Sequence, residues 1–205
     1  MNEHFARALR GEPCLVVGLG EEPAPLPVGA WQRDVDADDR AMLRHCTGPT
    51  LDVGCGPGRM TAALASSGQV VLGIDLVDDA VAETCHRGGV ALRRDLFDTL
   101  PGEGRWRCAL LADGNVGIGG DPVALLGRVH DVLASGGRAV VELAGPGVRT
   151  HTLTLRLDIA GSRSEPFPWA FVGTDAIDEV AAAAGLMTRS VHRHGERWCA
   201  VLEAP

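Results

Sequence analysis

Apolar positions along the chain come in short blocks, and helical stripes lie between the blocks. The segments Gln69–Ile74, Val90–Arg93, Cys108–Ala112 and Arg138–Leu143, with the run that begins at Thr50, are short and β-favouring. Several are apolar on consecutive positions, as in strands covered on both faces. Between them, Met60, Ala63 and Leu64 repeat at helical spacing, Asp78–His86 reads as a helix, and Pro122–Leu133 carries Leu126, Val129 and Leu133 on one stripe. Asp36–Cys46 opens with acids in its first turn, as helices do. Strands alternating with helices predict an α/β fold with a doubly wound, mostly parallel sheet. Ligands then bind at the carboxyl ends of the strands.

The pattern changes at both ends of the chain. Phe5–Arg10 reads as a short helix, Pro13–Val17 as a strand or extended arm, and the proline-rich Gly18–Gly29 as a loop. After strand five, Thr152–Leu157 alternates polar and apolar like a half-buried strand. A turn over Gly161–Pro166 leads to Pro168–Val172 as its partner. Thr174 is placed to cap a helix that ends at Gly185. Thr188–His194 and Trp198–Leu202 then read as a closing antiparallel hairpin around Gly195-Glu196. The expected organisation is an N-terminal helix and arm over 1–35, then one domain over 36–205 with a small β insertion at 150–173.

Chemistry concentrates at one turn. Thr50-Leu51-Asp52-Val53 runs into Gly54-Cys55-Gly56-Pro57-Gly58, and a helix follows. Glycines let the backbone approach a ligand and take positive φ, and a helix N-terminus presents unpaired N–H groups. Arg59 stands where a dinucleotide fingerprint needs its third glycine, so the spacing is G-x-G-x-G. The next strand ends at Asp75, where a carboxylate can accept both hydroxyls of a ribose.

In these residues the chain resembles the class I S-adenosylmethionine-dependent methyltransferases. Leu51–Gly58 is similar to their motif I, and Asp75 matches the acidic residue that holds the ribose. Arg94-Asp95-Leu96-Phe97 resembles the third motif, Leu110–Asn115 the fourth, and Ala134–Arg138 the turn into strand five. The resemblance spans roughly residues 36–145. It implies a Rossmann-like sheet of seven strands with helices on both faces, S-adenosylmethionine as cofactor, and methyl transfer as activity. It also implies cofactor contacts from Asp52, Gly54, Cys55, Gly56, Gly58, Asp75, Leu76, Asp95, Leu96, Asp113 and Gly114. Asp113, Asn115 and His151 are the candidates for a catalytic role. Trp31, Asn115 and Trp169 are candidates for the acceptor side. The Asn/Asp-Pro-Pro-aromatic signature of nucleic-acid amino-methylating relatives is missing, so the expected acceptor is a small molecule, methylated on oxygen or nitrogen.

Charge and composition narrow the partners. The net charge is −8, which offers no electrostatic footprint for a phosphate backbone, so no nucleic-acid partner is expected. No apolar run reaches membrane-span length and the N-terminus lacks a signal-peptide pattern; the expectation is cytoplasmic, without a membrane partner. A homodimer is left open. The six cysteines show no C-x-x-C pair and no recognised metal-site spacing, so no metal is expected and they read as small buried side chains. His192 and His194 read as strand histidines. Phe167, Trp169 and Phe171 would share one face of a strand, either covering an apolar ligand or packing on the core. Two rival functions remain: an S-adenosylmethionine-binding regulatory subunit without catalysis, and an NAD-dependent oxidoreductase. The latter lacks its glycine spacing and a second catalytic region.

Overall fold

The computed structural model describes residues 1–205. The N-terminal region holds α1 (Asn2–Leu9), β1 (Leu15–Val17), β2 (Ala24–Pro25), α2 (Val28–Gln32) and α3 (Ala37–Leu43). The alternating part runs β3 (Thr50–Val53), α4 (Arg59–Ser66), β4 (Val71–Asp75), α5 (Asp78–His86), β5 (Ala91–Arg93), β6 (Trp106–Leu111), α6 (Pro122–Val132) and β7 (Leu133–Leu143). Then come β8 (His151–Ile159), β9 (Ser162–Arg163), β10 (Phe167–Phe171), α7 (Ile177–Ala183), β11 (Met187–His194) and β12 (Arg197–Glu203).

Seven strands form the main sheet in the order β11-β12-β7-β6-β3-β4-β5. The contacts β7–β6, β6–β3, β3–β4 and β4–β5 are parallel, and only β12 runs against its neighbours. This is the expected doubly wound sheet with its closing hairpin. Alternation within single strands explains why both faces are covered. Cys108 and Leu110 of β6 join Met42, Met60, Leu64 and Val140 on the face under α3 and α4. Ala109 and Leu111 point the other way, into the cluster with Leu125, Leu126, Val129 and Ile177 beneath α6 and α7. Local signals set the helix starts: Asp36 and Asp39 form a reciprocal capping box on α3, and Asp121 caps α6 ahead of Pro122.

The arm and the insertion share one small antiparallel sheet, with β1 paired to β8 and to β2, and β8 paired to β10 and β9. Val16, Leu155, Leu157 and Ile159 form its own core, against which Phe5, Phe167 and Trp169 pack. Phe167 and Trp169 therefore follow the core-packing alternative, while Phe171 stacks on His151 with centroids 5.2 Å apart.

Three local expectations need correction. The stretch Gly18–Gly29, read as a loop, contains the short strand β2, which pairs with β1, and the start of α2, a single turn without apolar periodicity to announce it. Thr174 does not cap α7, because a 3₁₀ turn over Thr174–Ala176 precedes the helix and the hydroxyl faces Asp175. The turn at Ala134–Arg138 lies within β7 as an irregularity: Leu133 pairs with Trp106 and Arg138 with Cys108.

Candidate functional site

The glycine turn leaves β3 at the centre of the sheet, where sheet order reverses. Gly54, Gly56 and Gly58 all take positive φ, at 68°, 54° and 83°. They do so for different reasons. A Cβ on Gly58 would stand 2.3 Å from Thr84 Oγ1, and one on Gly54 would stand 2.8 Å from Asn115 Nδ2. At Gly56 nothing lies within 4 Å, so this glycine faces open space. Its N–H donates to Asp75 Oδ2 at 2.9 Å, and the Val77 N–H donates to Oδ1 at the same distance. Burial pushes the Asp75 carboxyl up, and these backbone donors oppose the shift. Turn and strand tip are thus joined, as the sequence predicts they meet.

Cys55 turns its thiol away from that space, towards Thr84 Oγ1 at 3.7 Å, and Gly73 leaves room for it. Burial, with Asp52 and Asp75 nearby, pushes the thiol up, so it stays protonated. Asp52 is buried and accepts from Thr61 Oγ1 at 2.6 Å; its carboxylate faces α4. Burial raises its pKa to about 6, the Thr61 bond notwithstanding. At the third motif, Asp95 Oδ1 accepts the Phe97 N–H at 3.0 Å and Leu96 is buried in the main core. Leu76 keeps an exposed side chain beside Asp75.

Beyond β6 the arrangement is ionic. Asp113 takes positive φ (54°) without being glycine, in a region that disfavours L residues. Several contacts hold it there. Arg59 grips it bidentately, Nη1 to Oδ2 at 2.5 Å and Nη2 to Oδ1 at 2.8 Å, and Arg197 Nη2 donates at 3.2 Å. The Asp113 N–H donates to Glu142. Arg59 also bonds the fully buried Asp39 through Nη2 at 3.0 Å, and Arg33 reaches Asp39 at 2.5 Å. Arg197 closes the group, bonding Glu142 at 2.6 Å and also Asp39. Three guanidiniums thus meet these three carboxylates, and Arg33 also bonds the more exposed Asp36 at 2.9 Å. Burial opposes charge at Asp39, but Arg59 and Arg33 outweigh it and hold its carboxyl far below the usual range.

Asn115 sits one turn on and donates Nδ2 hydrogens to the Val53 and Gly54 carbonyls, at 2.8 and 2.9 Å. It thereby ties the loop after β6 to the glycine turn. That loop then meets the small sheet: Ile118 bridges to Trp169, a Cβ on Gly117 would stand 2.1 Å from the Ala170 carbonyl oxygen, and Thr152 Oγ1 donates to Gly120 O at 2.8 Å. Of the acceptor-side candidates, Asn115 and Trp169 lie on this loop and its neighbour. Trp31 stacks on Phe5 at 5.4 Å, next to the small sheet. His151 is exposed against Phe171 and bonds the Arg149 carbonyl, apart from the ionic group. Sequence reasoning missed Arg59, Arg197, Asp39 and Glu142 as site residues. The one available signal was a charged residue directly after the last glycine of the turn.

The order of strands, the glycine turn and the strand-tip carboxylate together define a Rossmann-like fold of the class I methyltransferase type. Residues 50–137 match the family model described as a methyltransferase domain. Solved structures agree in fold. A methyltransferase from Bacteroides fragilis, solved with S-adenosyl-L-homocysteine, superposes with a TM-score of 0.79 at 20% identity, covering 98% of this chain and 92% of that one. The 1,6-didemethyltoxoflavin-N1-methyltransferase of Burkholderia thailandensis follows at 0.64 and 17%, covering 85% and 80%. An amino pentose methyltransferase from Micromonospora echinaspora gives 0.59 at 17%, covering 82% and 88%. No curated protein sequence matches the chain. No helix is long and apolar enough to cross a membrane.

Proposed function

We propose that the protein transfers a methyl group from S-adenosylmethionine to an oxygen or nitrogen of a small-molecule acceptor. The observation that carries this reading is Gly56: positive φ, open space where a side chain would be, and an N–H bonded to the carboxylate of Asp75. A ligand can lie on bare backbone there, beside a carboxylate whose charge is available to hydroxyls. On this reading Asp75 holds the ribose hydroxyls, Leu76 covers the adenine, and Asp95 with the Leu96 N–H reads the adenine edge. Gly54, Cys55, Gly56 and Gly58 offer backbone, and Asp113 and Gly114 border the methionine end. Asp52 acts through Thr61, holding the turn on α4.

When bound, the sulfonium supplies an electrophilic methyl group, so the protein's task is to align the acceptor and exclude water. No strong base is required of a neutral amine. Asp113 is occupied by two guanidiniums and serves as a fixed wall. Asn115 retains its Oδ1 to orient an acceptor hydroxyl or amine. The loop 116–120, the β10 edge and Trp31 enclose the acceptor. The small-molecule substrates named for two of the structural relatives support that class, as does the acidic charge of the chain.

The test is turnover. The protein is incubated with S-adenosylmethionine and a panel of hydroxyl- and amine-bearing metabolites, and S-adenosylhomocysteine is followed by mass spectrometry. Acceptor-dependent product supports the reading. Binding of the cofactor with no turnover across the panel would instead favour a regulatory subunit, and tight binding of NAD alone would overturn the cofactor. Gly56→Val should lose binding, because a β-branched side chain is disfavoured at that φ and would fill the open space.

A further inference from the structure

At the sheet edge away from the glycine turn, three segments bring metal-binding side chains together. His45 follows α3, His194 ends β11, and Cys199 lies in β12. One donor atom from each falls within 4.8 Å of the others. The two histidines face each other through Nε2, 3.3 Å apart, and His192 stacks on His45 with centroids at 4.2 Å. We infer that His45, His194 and Cys199 form a binding site for one divalent transition-metal ion of the zinc type, with the fourth position left to water.

The donor set is the first argument. Two imidazole nitrogens and a thiolate suit zinc in a tetrahedral site and are poor ligands for magnesium or calcium. Geometry is the second. With zinc–nitrogen bonds of about 2.0–2.1 Å, two nitrogens on a tetrahedral ion stand about 3.3–3.4 Å apart, which is the separation already present. The sulfur needs to move inward by roughly an ångström to complete a tetrahedral edge with bonds of that length. Binding exchanges the Cys199 thiol proton for the metal: the S–H bond breaks, a sulfur–metal bond forms, and one proton per ion goes to solvent.

A surface cleft of about 550 Å³, lined by His45 with Arg44, Arg138, Arg189 and Glu203 among others, gives solvent access beside the cluster. Cys199 pairs in register with Glu142, the carboxylate that bonds Arg197. α3 carries Asp39, and β12 carries Arg197. A metal at this point would clasp the same two elements that the Asp39–Arg197 pair joins. His194 and Cys199 sit on the two strands of one hairpin, but His45 comes from a segment far away in sequence, so the three do not form a sequence motif.

Cobalt(II) titration of chelator-treated protein tests this without reference to catalysis. One ion per chain should bind, with a thiolate-to-cobalt charge-transfer band and the strong d–d bands of tetrahedral cobalt. Cys199→Ser should abolish the charge-transfer band. His45→Gln and His194→Gln should weaken affinity by at least about 100-fold, beyond the range typical of outer-shell partners. Cys85→Ser, at an exposed cysteine outside the cluster, should bind as the parent does. Absence of stoichiometric binding, or the same charge-transfer band in Cys199→Ser, would overturn the site. If circular dichroism shows that Cys199→Ser does not fold, the half-buried His194 decides: unchanged affinity in His194→Gln overturns it.

Discussion

At the tip of β4, Asp75 accepts hydrogen bonds from the backbone of its own turn and of the glycine turn. On the other side of β3, Asp113 is gripped by Arg59 and Arg197 and bent into a left-handed conformation. The two carboxylates flank the same central strand and meet opposite fates. One is held by backbone donors alone, and the other has its charge neutralised by guanidiniums. On the proposed reading, the cofactor edge is thus built from local backbone geometry, and the acceptor edge from long-range ionic contacts and a second sheet.

Removing Arg59 breaks this contrast most severely. Its side chain is 4% exposed and Asp39's is 0%, so Arg59→Met takes one of three guanidiniums from a buried carboxylate and releases Asp113 from its bidentate grip. Deleting one partner of a buried ion pair typically costs about 3–5 kcal/mol. Urea unfolding should show a loss of that size. A loss under about 1 kcal/mol would mean that hydrophobic packing, rather than the ionic group, holds the acceptor edge.

Asp52 offers a pH test under the same turn. Its folded pKa is about 6, raised mainly by burial, against about 3.9 in an unfolded chain. The folded state then binds the extra proton between those values. Its contribution is fully present below about pH 4 and is lost as pH rises through about 6, a change of about 2–3 kcal/mol. Asp39 runs the other way: its depressed pKa contributes stability above the usual carboxylate range and loses it as pH falls further. Comparing the parent with Asp52→Asn from pH 4 to 7 isolates the first effect. A difference between them that does not vary with pH would place Asp52 in a wetter setting than its 2% exposure indicates.

Asp75→Ala sharpens the cofactor side of the comparison. Hydrogen bonds to a charged group are worth about 1.5–3 kcal/mol, so calorimetric affinity for S-adenosylmethionine should fall by roughly 10- to 150-fold. Asp113→Asn, which retains shape and gives up charge, should change that affinity less. Equal losses would erase the distinction between the two carboxylates.

Legibility followed the same division. Asp52, the three glycines and Asp75 are close in sequence, and their spacing alone places strand, turn and strand tip. α5 was bounded correctly because its acidic start and its spacing are local. The pairing of β1 with β8 was not legible, since three residues of strand carry no register and the partner lies far along the chain. Arg59 read only as a departure from dinucleotide spacing. Its role needs Asp39, Asp113 and Arg197 to converge from separate elements. The shared face of Phe167 and Trp169 followed from alternation, but what that face covers depended on the N-terminal arm.

The finest distinction lies at the seam between the loop after β6 and the small sheet. There the Thr152 hydroxyl donates to the Gly120 carbonyl at 2.8 Å, and a Cβ on Gly120 would meet Pro168 and Thr152. Thr152→Val keeps the shape and removes that one bond, a net loss of about 0.5–1 kcal/mol for a neutral pair at an exposed seam. The loop should then sit less firmly against β10. The KM for an acceptor identified in the panel should rise by about 2–5-fold, while affinity for S-adenosylmethionine stays within error, because Asp75 and Gly56 do not touch this seam. An equal change in both constants would show that the loop transmits strain back through Asn115 to the glycine turn, to whose carbonyls that side chain is bonded. A change in acceptor KM alone marks Thr152 as part of the acceptor wall, and the two edges of the cleft as separately adjustable.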